Sequence, residues 1–158
     1  VAAYGLVPLM LVFGAIGGAI AAHRPGGFID IPVPPLEFLV VPYIGLLLFG
    51  LFIGAALLLR ANPQAHKRLM LIGTFVIAEA GIARWPFEPY ISVPPVAMFT
   101  AAAFVIPIAI WDFYSRRRIH PVTAIGAVVL FAEGPVRDLI SHTAPWLTFA
   151  KWAAGLAA

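Results

Sequence analysis

The sequence contains no cysteine, so it can build no disulfide, thiolate nucleophile or cysteine-held metal site. Charge is scarce as well: 11% of the residues are Asp, Glu, Lys or Arg, against about a quarter in a soluble domain. A soluble chain must cover its surface as well as fill its core, and this one has too little polar material for that. No internal repeat is visible, and no CxxCH or HExxH motif marks a haem or metal site. The net charge of +3 sits in short clusters, which read as a topology signal rather than a nucleic-acid surface.

What is present is apolar length. Of 158 residues, 62% are hydrophobic, and the mean hydropathy is +0.98. A helix needs roughly 20 apolar residues to cross the hydrocarbon of a bilayer. The runs predict an all-α polytopic membrane protein, a single transmembrane domain over 1–158. Its five spans are expected at 4–22, 38–59, 69–85, 96–114 and 122–140. The tail over 143–156 carries Trp146, Phe149, Lys151 and Trp152, and reads as an interfacial helix. The chain opens on Val1, and its first run is too long for a signal-peptide core; processing, truncation and a missing N-terminal portion stay open.

Helix breakers separate these runs. Segment 23–37 holds Pro25, Gly26, Gly27, Pro32, Pro34 and Pro35, and 87–95 is a second proline-rich loop. Asn62-Pro63 marks the start of the third helix. The loop after span two carries Arg60, Lys67 and Arg68, and the loop after span four Arg116, Arg117 and Arg118. The proline-rich loops hold Arg24 and the span-end Arg84 against Asp30, Glu37 and Glu88. The positive-inside rule therefore places the two basic loops in the cytoplasm, and the proline-rich loops and tail outside. Gly14, Gly17, Gly18 and Ala21 form a small-residue stripe on span one, and Gly50 and Gly54 a GxxxG match on span two. Trp85, Phe87, Tyr90, Trp146 and Trp152 form an aromatic belt at the outer interface.

Two polar constellations interrupt the apolar pattern. Glu79 and Glu133 each lie about 12 residues, hence roughly 18 Å, from the cytoplasmic ends of spans three and five. Arg137 follows Glu133 by one turn and can bond to it along one face. Arg84 sits about 140° around the helix from Glu79 at ~100° per residue, so its partner is expected on another helix. The cluster Glu79, Arg84, Glu133 and Arg137 reads as a buried ionic group that fixes helix register, or else as a proton or ligand site. At the cytoplasmic end stand His66, Arg68, Asp112 and His120. There Asp112 is expected to pair with Arg68 or Arg116, with both histidines in the headgroup zone. The alternative is haem ligation by His66 and His120 on neighbouring helices. His23 and His142 read as surface residues near the opposite interface.

The segments AHKRLMLIGTFVIAEAGIARWP, WDFYSRRRIHP and GPVRDLISHTAPWLTFAKW together resemble a family of bacterial multi-pass membrane proteins of uncharacterised function. The resemblance is carried by Ala65, His66, Lys67, Arg68, Leu69 and Met70, then Arg84 and Pro86. It continues through Asp112, Arg118, His120 and Pro121 to Pro135, Arg137 and Thr143–Trp146. It implies further helices before Val1. Glu79 and Glu133 depart from the family pattern, where apolar residues or Gln are usual. The expected function is an accessory or assembly-type subunit of the bacterial inner (cytoplasmic) membrane, packed against lipids and other membrane-protein subunits. No enzymatic activity and no nucleic-acid partner is expected, and no cofactor is specified. The alternatives are a small haem-binding or redox membrane protein, and a transporter using Glu79 and Glu133.

Overall fold

Breakers at Pro25-Gly26-Gly27, Pro35 and Asn62-Pro63 bound helices in the computed structural model, which describes residues 2–28, 33–82, 99 and 102–155, while Pro8 and Pro135 lie inside helices. Among these residues every regular element is helical. The helices are α1 (Ala2–His23), α2 (Pro35–Phe38), α3 (Val40–Leu58), α4 (Pro63–Ile82), α5 (Val105–Arg116), α6 (Pro121–Ser141) and α7 (Ala144–Gly155). Arg84, Asp30, Glu88, the loop 87–95 and the start of the expected fourth span lie outside the described residues.

Local chemistry explains the boundaries. At α4, Pro63 occupies the first helical position, where its missing N–H is not needed. Asn62 Oδ1 accepts from the N–H groups of Gln64 and Ala65 at 3.1 and 3.2 Å, an N-cap. Thr143 caps α7 in the same way through the Trp146 N–H. The end of α5 is closed by Arg117, whose φ of 55° is left-handed and whose N–H donates to Phe113 O at 2.9 Å. After α1, Gly26 and Gly27 take φ values of 88° and 65°, and a Cβ on Gly27 would collide with the Pro35 ring.

Among the described residues two segments are long and apolar enough to cross a membrane, Tyr4–His23 and Pro35–Leu58. Only 11% and 28% of their apolar windows is buried. A core helix of a soluble protein is covered far more fully than this.

The chain divides into two compact units, residues 1–47 with 136–158, and residues 48–135. In the first, α7 packs on α1 and α2. Ala22, Leu39, Ala150 and Ala154 form its buried centre, bordered by Phe28, Leu36, Tyr43 and Trp146. Small residues set the approach: a Cβ on Gly14 would meet Leu46 Cδ2 at 2.7 Å, and one on Gly18 would touch Leu39 and Tyr43. Tyr43 Oη donates to Ala15 O at 3.1 Å, and Trp146 Nε1 to Leu36 O at 3.0 Å. Trp146 is thus tied into the unit by its indole N–H, whereas Trp152 is 60% exposed.

In the second unit, Phe52, Ala56, Leu69, Ile72, Val76, Ala102, Val105 and Leu130 form the buried core. Here α4 is gripped on two sides. A Cβ on Gly73 would lie 2.8 Å from Ile53 Cδ1 and 3.2 Å from Phe52 Cβ. One on Gly126 of α6 would lie 2.5 Å from Ile72 Cδ1. The GxxxG residue Gly54, by contrast, faces open space.

Ile72 is fully buried and cannot swing away freely. Gly126→Ala should therefore destabilise the detergent-solubilised protein by about 1–3 kcal/mol, the usual range for overpacking. Ile72→Val removes the clashing Cδ1 at a cost of about 0.5–1.5 kcal/mol. Placing Gly126→Ala in the Ile72→Val background should then cost less than placing it in the native chain. Equal costs in thermal unfolding would show that the helices do not meet at this pair.

Candidate functional site

The four residues expected at the cytoplasmic end lie in the second unit, and three of them converge on one carboxylate. Asp112 stands in the last turn of α5 and is fully buried, and Arg68, in the second turn of α4, is 2% exposed. Arg68 Nε donates to Asp112 Oδ1 and Oδ2 at 3.0 and 3.1 Å, and its Nη2 donates to Oδ1 as well. This is the forked, bidentate geometry that favours Arg over Lys. The remaining Arg68 nitrogen, Nη1, donates to Gln64 O at 2.8 Å and Gln64 Oε1 at 2.9 Å.

The other side of the carboxylate is equally complete. Asp112 Oδ2 accepts from Thr123 Oγ1 at 2.6 Å and from the His120 N–H at 3.1 Å. Thr123 is fully buried in the first turn of α6. One buried carboxylate therefore joins α4, the end of α5, the turn after it and the start of α6. Burying two charges costs several kcal/mol per ion, which is offset only when the pair is close and its other polar groups are bonded. Both conditions hold here. Of the two partners expected for Asp112, the structure selects Arg68; Arg116 is exposed.

The histidines have separate roles. His66 Nδ1 lies 2.8 Å from Ala56 O, which makes it the donor and ties α4 to the end of α3. His120 Nδ1 accepts from the Val122 N–H at 3.2 Å. A neutral imidazole has one acceptor nitrogen, so the proton sits on Nε2. The lone pair that haem iron would require on His120 is engaged by the backbone. Burial lowers the His120 pKa below its ordinary value of 6.5, and Arg68, Arg116 and Arg118 act in the same direction against Asp112. Among the described residues no group of three or more His, Asp or Glu side chains is placed to hold a metal.

In the other constellation, Glu79 is 6% exposed, Glu133 5% and Arg137 6%. Glu79 and Glu133 lie in the second unit and Arg137 in the first. Arg84 is outside the described residues. His142 is 62% exposed, with Nε2 3.6 Å from Glu37 Oε2. Exposed pairs of this kind contribute little to stability.

Thr123 and Gln64 belong to the Arg68–Asp112 site, and sequence reasoning did not single them out. Gln64 was legible, since it stands one turn before Arg68 on the same helix face. Thr123 depends on how the left-handed turn at Arg117 swings α6 back, which no spacing rule supplies. No family model, curated protein or solved structure matches the chain.

Removing one member of the ion pair strands the other. Arg68→Met should cost about 3–5 kcal/mol, because Asp112 is left buried without its cation. Adding Asp112→Asn should recover part of that loss, since the amide oxygen still accepts from Thr123 and His120. A double variant less stable than Arg68→Met in thermal unfolding would show that another group holds the Asp112 charge.

His120 adds a pH dependence of known sign. Its folded pKa lies below its unfolded value, so the unfolded chain binds the extra proton first as pH falls. Its penalty is absent above about pH 6.5 and grows below it, down to the folded pKa. The native chain should lose more stability than His120→Gln between pH 7 and the folded pKa (the neutral amide does not titrate). Parallel stability curves for the two proteins would exclude this role.

Proposed function

We propose that the chain is a multi-pass integral membrane protein with five spans and an interfacial C-terminal helix. In this reading it serves as an accessory or assembly-type subunit in the bacterial inner membrane. It packs against lipids and other membrane-protein subunits and carries out no chemistry of its own. The resemblance carried by His66–Met70, Asp112, His120-Pro121 and Pro135–Arg137 supports only the multi-pass membrane part of this reading.

One observation carries the reading: the chain buries several charged side chains while leaving large apolar ones exposed. Its buried side chains include Arg68, Glu79, Asp112, Thr123, Glu133 and Arg137. Its exposed ones include Phe13 at 67%, Ile110 at 62%, Trp111 at 64%, Val128 at 69% and Leu139 at 72%. Water would reverse that distribution, and hydrocarbon favours it. Long apolar helix faces fit lipid or neighbouring transmembrane helices, and a fully bonded Arg68–Asp112 pair fits a structural fastener.

The absence of cysteine makes the topology directly testable. Single cysteines introduced as Gln64→Cys and Ser115→Cys should react with a membrane-impermeant maleimide only from the cytoplasmic face. Ser92→Cys and His142→Cys should react only from the opposite face. Labelling of the Ser115 and Ser92 variants from the same side would refute five spans. Affinity purification of the full chain from native membranes should also yield a larger membrane complex at fixed stoichiometry. Recovery of the chain alone would refute the subunit role.

A further inference from the structure

On the surface of α5 an open groove of about 320 Å³ is lined by Ala109, Ile110, Phe113, Tyr114 and Ile119. The lining is almost wholly apolar. Ala109, Ile110, Phe113 and Tyr114 share one helix face by their three- and four-residue spacing. Ile119 closes the groove from beyond the turn. Ile110, Phe113, Tyr114 and Ile119 are all about half exposed or more, so none of the described residues of this unit covers them fully.

The segment joining the groove's two walls is Ser115-Arg116-Arg117-Arg118. All three arginines are exposed, and the left-handed residue Arg117 fixes the turn that carries them. Arg118 adjoins Ile119 and Arg116 is two residues from Tyr114, so both cations start within about 8 Å of the groove along the chain. An open apolar groove that ends at a cluster of exposed cations with no ion pair among the described residues is complementary to one kind of molecule. That molecule has an acyl chain at one end and a phosphate at the other.

We infer that the α5 groove and the Arg116–Arg118 turn form a binding site for one anionic phospholipid. The acyl chain lies along Ile110, Phe113 and Tyr114, and the phosphate is held at the turn. This rests on the membrane reading proposed above, and deepens it by naming a resident lipid. Arginine suits the role because its planar fork bonds phosphate oxygens in pairs. Each cation near an anionic headgroup contributes about fivefold in binding.

The test is lipid retention. The full chain is reconstituted into bilayers of phosphatidylglycerol and phosphatidylcholine in equal parts, then extracted in mild detergent, and the retained lipid is counted by native mass spectrometry. The native chain should keep phosphatidylglycerol in preference to phosphatidylcholine. Arg116→Gln with Arg118→Gln should lower that retention at least about tenfold. Ala109→Phe, which fills the groove, should lower it while the arginines remain. Lys67→Gln removes an exposed cation from the other basic turn and should leave retention unchanged. Unchanged retention in the double arginine variant, or in Ala109→Phe, overturns the site. So does an equal loss in Lys67→Gln, which would reveal only general surface charge. A chain that fails to integrate and washes off in alkaline carbonate overturns the membrane reading along with it, whereas an integrated chain without lipid preference overturns this inference alone.

Discussion

The Asp112 carboxylate is the point on which the second unit turns. It accepts from two nitrogens of the Arg68 fork, from the Thr123 hydroxyl and from the His120 backbone. Each donor comes from a different part of the chain, so the carboxylate fixes three relationships at once. It sets the rotation of α4, because Arg68 must face inward. It sets the end of α5, because Asp112 lies in its last turn. It sets the return of the chain into α6, because His120 N and Thr123 must both reach one oxygen. The left-handed conformation of Arg117 is what makes that return possible within so few residues. Around this charge the apolar packing is unremarkable in chemistry but close in distance, with Gly73 and Gly126 allowing α4 to approach its neighbours.

This division of labour suits units whose exposed helix faces are largely apolar. Between such helices in hydrocarbon there is no hydrophobic driving force, since lipid tails are as apolar as leucine. Association must come from close packing and from polar groups that find each other. Both devices are present, and each unit uses them differently. The first relies on small residues and single aromatic hydrogen bonds, Gly14, Gly18, Ala150 and Ala154 with Tyr43 and Trp146. The second concentrates its polar bonding in one ion pair.

Much of the helical framework is legible in the sequence, because breakers act locally. The expected spans 4–22, 38–59 and 122–140 correspond to α1, α3 and α6 within two residues at each end. The third expected span began at Leu69, whereas α4 begins at Pro63. A hydropathy run measures where polarity stops, but the cap at Asn62 starts the helix with four polar residues, Gln64, His66, Lys67 and Arg68, still to come. Contacts between helices were harder to read. The Gly14–Gly18 stripe does face α3, while Gly54 of the GxxxG match touches nothing and the glycines that matter to α4 went unnoticed. A small-residue pattern states that a close approach is affordable, not which helix makes it. For Asp112 the sequence narrowed the partner to two arginines by depth alone, and helix rotation decided between them.

The same rotation bears on why, among the described residues, only Tyr4–His23 and Pro35–Leu58 are long and apolar enough to cross a membrane. In α4 the residues that lower the average are Lys67, Arg68 and Glu79, and in α6 they are Glu133, Arg137 and Asp138. Arg68, Glu79, Glu133 and Arg137 are all 6% exposed or less. Lys67 and Asp138 are exposed, but each lies near a helix end, where a charged head can reach the interface. A surrounding bilayer meets only the outward face of a helix. On that face α4 and α6 present Leu71, Ile125, Val128, Phe131 and Leu139. The outward face is therefore more apolar than the sequence average, and four of the six charged residues that depress the average, Arg68, Glu79, Glu133 and Arg137, are turned away from the surroundings. A helix whose charges are turned inward can carry an apolar surface while its mean hydropathy is modest.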